Sequence, residues 1–284
     1  RQMCIRDSCY PMNSYIDARQ LLTFCSWDGL GMSLLYGLPG QNRVNLSTSI
    51  VNAVGFGARE IALAPLRLRP GSALHERYAE HPERFDALPR KAWPTEDERL
   101  ALRAAGEEQL VADGFTRVTQ HLFSADGTLR ASQRARCDDV DRLVFRGRAW
   151  SKLDGVVSRS TGDLARYLAH AEDVRAITAA ADVLTPVEAS CRYVAGRLFA
   201  AEGFSHAEHE RRFGASLPVP LRAELERLAE AGWATCEGDR WKLTCEGGHR
   251  YDDAVRRLAA AAQAEKETAG HRGAGASPRV AASA

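Results

Sequence analysis

Residues Leu34–Gln41 read LLYGLPGQ, and this stretch decides how the chain divides into elements. An apolar run into Tyr36 reads as a buried strand. Gly37, Pro39 and Gly40 end it, because glycine opens backbone angles closed to other residues and proline fixes φ and removes a donor. Helical spacing follows at Val44, Leu46, Ile50, Val51 and Val54, and then comes a second strand, Ile61–Leu68. Strand, glycine turn, helix, strand is the order of a βαβ unit. Ligands in such folds gather at the carboxyl ends of the strands, where the GLPGQ turn would stand.

The same grammar continues outward. Thr95-Glu-Asp-Glu98 is a capping box that starts a helix through Leu100, Leu102, Leu110 and Val111, and Asp113-Gly114 stops it. Phe115–Phe123 alternates like a half-buried strand, and Ser124–Gly127 is a turn. Three strands and two helices in βαβαβ order predict an α/β fold, the closing part of a TIM-like barrel. Between them, Pro70–Pro94 is rich in loop residues, with room for one short helix at Leu74–Tyr78.

From Thr185 the pattern turns helical. Thr185-Pro-Val-Glu188 joins an N-cap, a proline at the first position and a glutamate three on; Val187, Val194, Leu198 and Phe199 follow. Ser205-His-Ala-Glu208 starts a short helix, and Leu221, Leu225 and Leu228 face one way on another. Trp233–Leu243 reads as a hairpin turning at Glu237-Gly238-Asp239, and Thr244 caps a last helix through Leu258. Helices, hairpin, helix make a mostly helical, winged-helix-like C-terminal domain. Beyond about Ala262 the chain is alanine, glycine and serine with scattered charge, which predicts a disordered tail.

Composition narrows the function. The 284 residues are 45% hydrophobic and 26% charged with a net charge of +1, so no global field draws the chain to nucleic acid or to a membrane surface. No apolar run reaches the about 20 residues that span a bilayer. The seven cysteines, Cys4, Cys9, Cys25, Cys137, Cys191, Cys236 and Cys245, are odd in number and irregular in spacing. Reduced thiols in a cytoplasmic protein are the expectation, not a disulfide framework.

Tyr36-Gly-Leu-Pro-Gly-Gln41 and, after the next strand, Pro70-Gly-Ser-Ala-Leu74 resemble the oxygen-independent coproporphyrinogen III oxidase family of radical SAM enzymes. The resemblance runs from about Ala18 to about Leu258 and includes Leu243-Thr-Cys-Glu-Gly247 and Asp253 of the C-terminal domain. It implies a partial radical SAM barrel that uses S-adenosylmethionine and a [4Fe–4S] cluster on a small-molecule tetrapyrrole. The reaction would be oxidative decarboxylation or radical methyl transfer. It also implies that Gly37, Leu38, Pro39, Gln41, Tyr36 and Ser33 line the cofactor cleft, Ser33 standing where the family has an aspartate.

Leu143–Gly155, LVFRGRAWSKLDG, resembles the family's glycine-rich cleft segment at Gly147, Ala149 and Ser151, with Trp150 beside the cofactor; Arg146 and Arg148 depart from it. The same residues also read as an amphipathic strand with a basic edge. Arg67 and Arg69 either point into the barrel mouth, where guanidinium forks suit propionates, or lie on a solvated strand end. His121 reads either as a cleft residue or as a hydrogen-bonded core histidine. His206 and His209 share a helical face without a third ligand. Ser160–Tyr167 resembles the family's short D-L-x-x-Y helix.

The family holds its cluster with C-x3-C-x2-C, which this sequence lacks, so the resemblance implies an N-terminally truncated fragment, inactive alone. Arg1–Ser8 resembles translated sequencing-adapter sequence. The expected division is 1–17 a non-native or disordered start, 18–125 the partial barrel, 126–180 a linking segment lining the cleft, 181–262 the winged-helix-like domain and 263–284 the tail. Two other functions remain open. One is a DNA-binding module, although the third helix, Leu221–Ala231, carries three glutamates against two arginines. The other is heme binding without catalysis, as in the family's chaperone branch.

Overall fold

The computed structural model describes residues 3–4, 30–67, 75–76 and 94–274. The chain falls into two compact units, Arg1–Leu129 and Arg130–Ala284.

The first unit is built on two parallel strands, β2 (Leu30–Tyr36) and β3 (Ala58–Pro65), joined by helix α1 (Arg43–Gly55). A two-residue strand β1 (Met3–Cys4) pairs parallel to β2. Helix α2 (Glu96–Ala112) carries the expected capping box, Thr95 Oγ1 accepting from Glu98 N and Glu98 accepting from Thr95 N. Met32, Leu34, Tyr36, Ile61 and Leu63 pack against Leu46, Ile50, Leu102 and Leu110 in one buried cluster. The buried face of α1 is Leu46, Ile50 and Ala53, at i, i+4, i+7. Val44 and Val51, read as core, lie on the opposite side and are exposed. β3 also ends three residues earlier than the sequence pattern, at Pro65, which has no N–H to extend a ladder.

The third strand is where the sequence reading fails. Phe115–Phe123 is a tight hairpin of β4 (Thr116–Arg117) and β5 (Leu122–Ser124), and β5 runs antiparallel to β3. Thr119 makes the reversal: its Oγ1 accepts from both His121 N and Leu122 N. A two-residue alternation is the same in one strand as in two strands folded back on each other, so periodicity alone could not separate them. The sheet order is β1-β2-β3-β5-β4, parallel from β1 to β3 and antiparallel at β5 and β4. Of the loop at Pro70–Pro94, the helical pair His75–Glu76 and Pro94 are described; the rest of the expected Leu74–Tyr78 helix lies outside the described residues.

The second unit opens with helix α3 (Ala131–Cys137) and an antiparallel sheet of β6 (Trp150–Leu153), β7 (Val156–Ser160) and β8 (Thr178–Val183). Short helices α4 (Leu164–Ala169), capped by Asp163, and α5 (Val174–Ile177) lie between β7 and β8. Then follow α6 (Pro186–Phe199), β9 (Phe204–Ser205), α7 (His206–Phe213), α8 (Val219–Glu230) and the hairpin β10 (Ala234–Glu237) and β11 (Arg240–Leu243). The caps at Thr185 and Ser205 are both capping boxes, as their sequence predicts. Val194, Leu198, Phe204, Leu221, Leu225, Leu228, Trp241 and Leu243 make the core with Ala254 and Leu258. Thr244 caps not one long helix but the short α9 (Cys245–His249), and a new helix α10 runs Tyr251–Ala274. α10 continues past the expected end near Ala262 because its alanine-rich stretch is a strong helix former.

Gly247, in the Leu-Thr-Cys-Glu-Gly stretch, has a packing reason. A Cβ there would sit 1.8 Å from the Trp233 carbonyl oxygen, on the strand-entry turn that crosses the start of α9. Gly247→Ala should therefore destabilise the chain by about 2 kcal/mol or more in urea unfolding, through forced backbone displacement. Gly55→Ala, where nothing lies within 4 Å, should change stability by no more than about 1 kcal/mol.

His209 is buried at 1% exposure; its Nδ1 donates to Ala215 O at 3.2 Å, and its Nε2 and Ser190 Oγ share a hydrogen bond at 2.6 Å. Burial pulls its pKa below the usual 6.5. The unfolded chain then takes up a proton that the folded chain refuses, so this contribution is intact above 6.5 and declines as pH falls from there toward the folded value. The urea midpoint should be lower at pH about 5.5 than at about 7.5, and His209→Gln should narrow that difference.

Candidate functional site

β2 presents two unlike faces. Met32, Leu34 and Tyr36 point into the core, while Gly31, Ser33 and Leu35 are half-buried on the other side. Register sets Ser33 beside Ala62 and Leu35 beside Ala64, also half-buried. The coreward face is filled by large side chains. The opposite face carries Gly31, Ser33, Ala62 and Ala64, with one large side chain, Leu35, nearest the carboxyl end of β2.

At that end the chain turns through Gly37, with φ +82°, and Gly40, with φ +70°, the left-handed region that favours glycine. Gln41 holds the turn. Its Oε1 accepts from Gly37 N at 2.7 Å and from Leu38 N at 3.3 Å, and its Nε2 donates to Leu35 O at 3.1 Å. Both lone pairs of the amide oxygen and one of its two N–H groups are thus engaged by the backbone. Gln41, read as a cofactor contact, is first a clamp on the turn.

Two arginines that the sequence reading passed over stand behind this edge. Arg99, in the first turn of α2, donates from Nη2 to Leu66 O at 2.7 Å, where β3 has just ended. Its Nε is buried without a hydrogen-bond partner and lies 3.1 Å from where a Cβ on Gly37 would be. Gly37 is therefore required twice, for its φ and for the room it leaves Arg99. One helical turn on, Arg103 is 2% exposed; its Nη2 donates to Gln120 O at 2.8 Å and its Nη1 lies 3.4 Å from His121 Nδ1. No carboxylate among the described residues pairs with Arg103. In sequence nothing marks Glu98-Arg99-Leu-Ala-Leu-Arg103 as other than a solvated helix face.

The predicted residues divide as follows. Gly37, Leu38, Pro39 and Gln41 form the turn at the end of β2, and Ser33 lies in the middle of that strand. Tyr36 does not join them: it is fully buried on the core face, because alternation sends it opposite to Ser33. Arg67 is half-buried two residues beyond β3, so it is not on the strand; Arg69 lies outside the described residues. His121 is at the hairpin turn beside Arg103. Trp150 belongs to the second unit, where it is 49% exposed with the Arg159 guanidinium 5.6 Å from its ring centre. The surrounding Leu143–Gly155 stretch is mostly irregular up to β6, and its small residues are held locally. Ala149 N donates to Ser160 Oγ at 2.9 Å, and Ser151 Oγ accepts from Val144 N at 3.0 Å.

The described residues do not supply a donor set that fits a [4Fe–4S] cluster. Among the described residues no three His, Cys, Asp or Glu side chains are grouped to hold a metal. Cys191 is buried, and burial raises its thiol to about 11, the opposite of what a thiolate ligand requires. Cys137 is buried and likewise raised by burial; Cys236 and Cys245 stand elsewhere. What the first unit offers is a sheet face of mostly small side chains that includes the Ser33 hydroxyl, a glycine turn clamped by Gln41, and the Arg99 guanidinium beside Gly37.

No family model and no curated protein matches the chain. In architecture it is similar to the coproporphyrinogen III oxidase HemN from Escherichia coli, a radical SAM enzyme, with a TM-score of 0.66 over 90% of this chain at 14% identity. The chain spans 63% of the length of that structure, which shows the fold alone. No described helix is long and apolar enough to cross a membrane.

Replacing Gln41 by alanine should remove the clamp while leaving the core untouched. We expect a loss of about 2 kcal/mol from the three hydrogen bonds and faster hydrogen exchange at the Gly37 and Leu38 amides. Unchanged protection at those two amides would show that the turn holds itself.

Proposed function

We propose that the first unit carries the cofactor edge of a radical SAM-like protein and that its ligand is S-adenosylmethionine. The whole protein would act on a tetrapyrrole, by oxidative decarboxylation or radical methyl transfer. One observation carries this reading. A clamped glycine turn closes the carboxyl end of a parallel strand whose face away from the core, with that of its neighbour, carries Gly31, Ser33, Ala62 and Ala64, in a chain whose fold resembles HemN. In the resembled family S-adenosylmethionine is the radical source.

On this reading the residues have distinct tasks. Ser33 offers one hydroxyl toward the nucleoside. Leu38 and Pro39, half-buried in the turn, cover it from water. Arg99 puts a guanidinium beside the turn, where a carboxylate would be welcome. Gln41 and Gly37 keep the edge in place. No step is routed through an iron–sulfur cluster, because the described residues supply no donor set for one. The finer architecture, a partial barrel followed by a winged-helix-like domain within the bounds given above, belongs to the same proposal.

The DNA-binding alternative is weaker on electrostatics. On α8, Glu224 is buried between Arg227 at 2.6 Å and Arg257 at 2.5 Å, so Arg227 is already paired, and the exposed Arg222 stands with Glu226 and Glu230. Such a face is a poor match to phosphate. Heme binding without catalysis would appear as a saturable absorbance change on titration with heme.

Equilibrium dialysis of the full chain against labelled S-adenosylmethionine tests the proposal. Saturable binding is expected. Ser33→Asp, which restores a charged acceptor, should tighten it by roughly tenfold, the scale of a charge-assisted hydrogen bond. No saturable uptake by either protein would remove this reading.

A further inference from the structure

The second unit contains two networks of charged groups, and only one of them is balanced. In the first, Arg197 meets Asp138 at 2.8 Å and Glu202 at 2.7 Å, Arg240 meets Glu208 at 2.7 Å, and Arg134 also pairs with Glu202. Three cations face three carboxylates. The second network centres on Asp139. Its Oδ2 lies 2.6 Å from Lys152 Nζ and its Oδ1 3.2 Å from Arg192 Nη2. Its main-chain oxygen accepts from Lys152 Nζ at 2.6 Å and from Arg212 Nη2 at 3.1 Å.

Arg142 adds a fourth cation. Its backbone pairs with Lys152 in both directions, Arg142 N to Lys152 O at 2.7 Å and Lys152 N to Arg142 O at 2.8 Å. Its guanidinium makes no hydrogen bond and no ion pair among the described residues, and its Nε is buried without a partner, as is that of Arg192. Two cations thus bond the Asp139 carboxylate, a third bonds its main-chain oxygen, and a fourth, Arg142, stands near them unbonded. Asp141, the next acid in sequence, is turned away to accept from Asp154 N at 3.0 Å.

This arrangement is costly. Asp139 is 8% exposed and Lys152 9%, so solvent screens the hub poorly. Burial, then the like charge of Arg136, lowers the pKa of Arg142 despite the pull of Asp139, with Arg192 adding to the repulsion. Asp139 also holds φ at +45°, a conformation that a non-glycine residue adopts at some cost in strain. The positive excess stands beside a buried ion pair and reaches solvent through Arg192 and the exposed Arg212, whereas the neighbouring network shows that this unit can match its charges.

We propose that the Asp139 hub is a binding site for a compact, multivalent oxyanion of the phosphate type, taken by the guanidinium groups of Arg142, Arg192 and Arg212. Guanidinium forks bind such anions through paired N–H donors, and a phosphate brings several acceptor oxygens and more than one negative charge. A single carboxylate would leave most of the excess in place. The site lies wholly within the second unit and does not depend on the cofactor edge of the first.

The test is thermal unfolding of the full chain titrated with sodium phosphate and with pyrophosphate, ionic strength being held constant with sodium chloride. A saturable rise in Tm is expected. Arg142→Gln removes a guanidinium that no protein group bonds, so it should leave the ligand-free Tm unchanged or higher and weaken the phosphate midpoint by roughly tenfold. Arg134→Gln, in the balanced network, should lower the ligand-free Tm and leave the phosphate midpoint alone. The site is overturned by a wild-type Tm that does not respond, by a response that chloride reproduces, or by an Arg142→Gln midpoint equal to wild type.

Discussion

The side-chain amide of Gln41 stands where a neighbouring strand would otherwise be. β2 runs out of backbone partners as it turns, and Gly37 N, Leu38 N and Leu35 O need partners that neither the sheet nor α1 supplies. One residue meets all three. Because the turn is fixed, α1 leaves it at a set angle and brings Leu46 and Ile50 onto β3 and α2. Arg99 can then reach Leu66 O across the space that Gly37 leaves open. The parallel pair, its crossover helix and the rim of the cleft are consequences of one clamped reversal.

The second unit is organised differently, by repeated use of one local device. Thr185, Ser205 and Thr244 each cap a helix through a hydroxyl, and two of these close the reciprocal box with a glutamate. The caps set where helices begin. Packing sets how close they come: the Trp233 carbonyl sits so near the start of α9 that only glycine fits at 247. What resembles a family signature in Leu243–Gly247 has a sufficient reason in the fold, independent of any ligand.

Features controlled by near neighbours in sequence were legible. The glycine–proline turn, the capping boxes at Thr95, Thr185 and Ser205, the hairpin at Gly238-Asp239 and the buried face Leu221, Leu225, Leu228 all follow from contacts within a few residues. Features decided by a distant partner were not. The reversal at Thr119 hides inside an alternating pattern that also suits one straight strand. Val44 and Val51 are apolar but lie on the side of α1 away from the sheet. Tyr36 was grouped with the turn it adjoins, although pleating sends it to the core. Arg99 and Arg103 look like surface charge until β3 and the 119–121 turn are set beside them. Of the candidate site, the strand end was readable and its guanidinium rim was not.

The clamp at Gln41 has a consequence for ligand choice. Glycine-rich loops that grip nucleotides do so with free main-chain N–H groups aimed outward, which is why triphosphates and dinucleotides seek them. Here the amides of Gly37 and Leu38 point inward and are already occupied by a side chain. The edge therefore has little to hold a pyrophosphate. That agrees with the proposal of a ligand that carries no phosphorus.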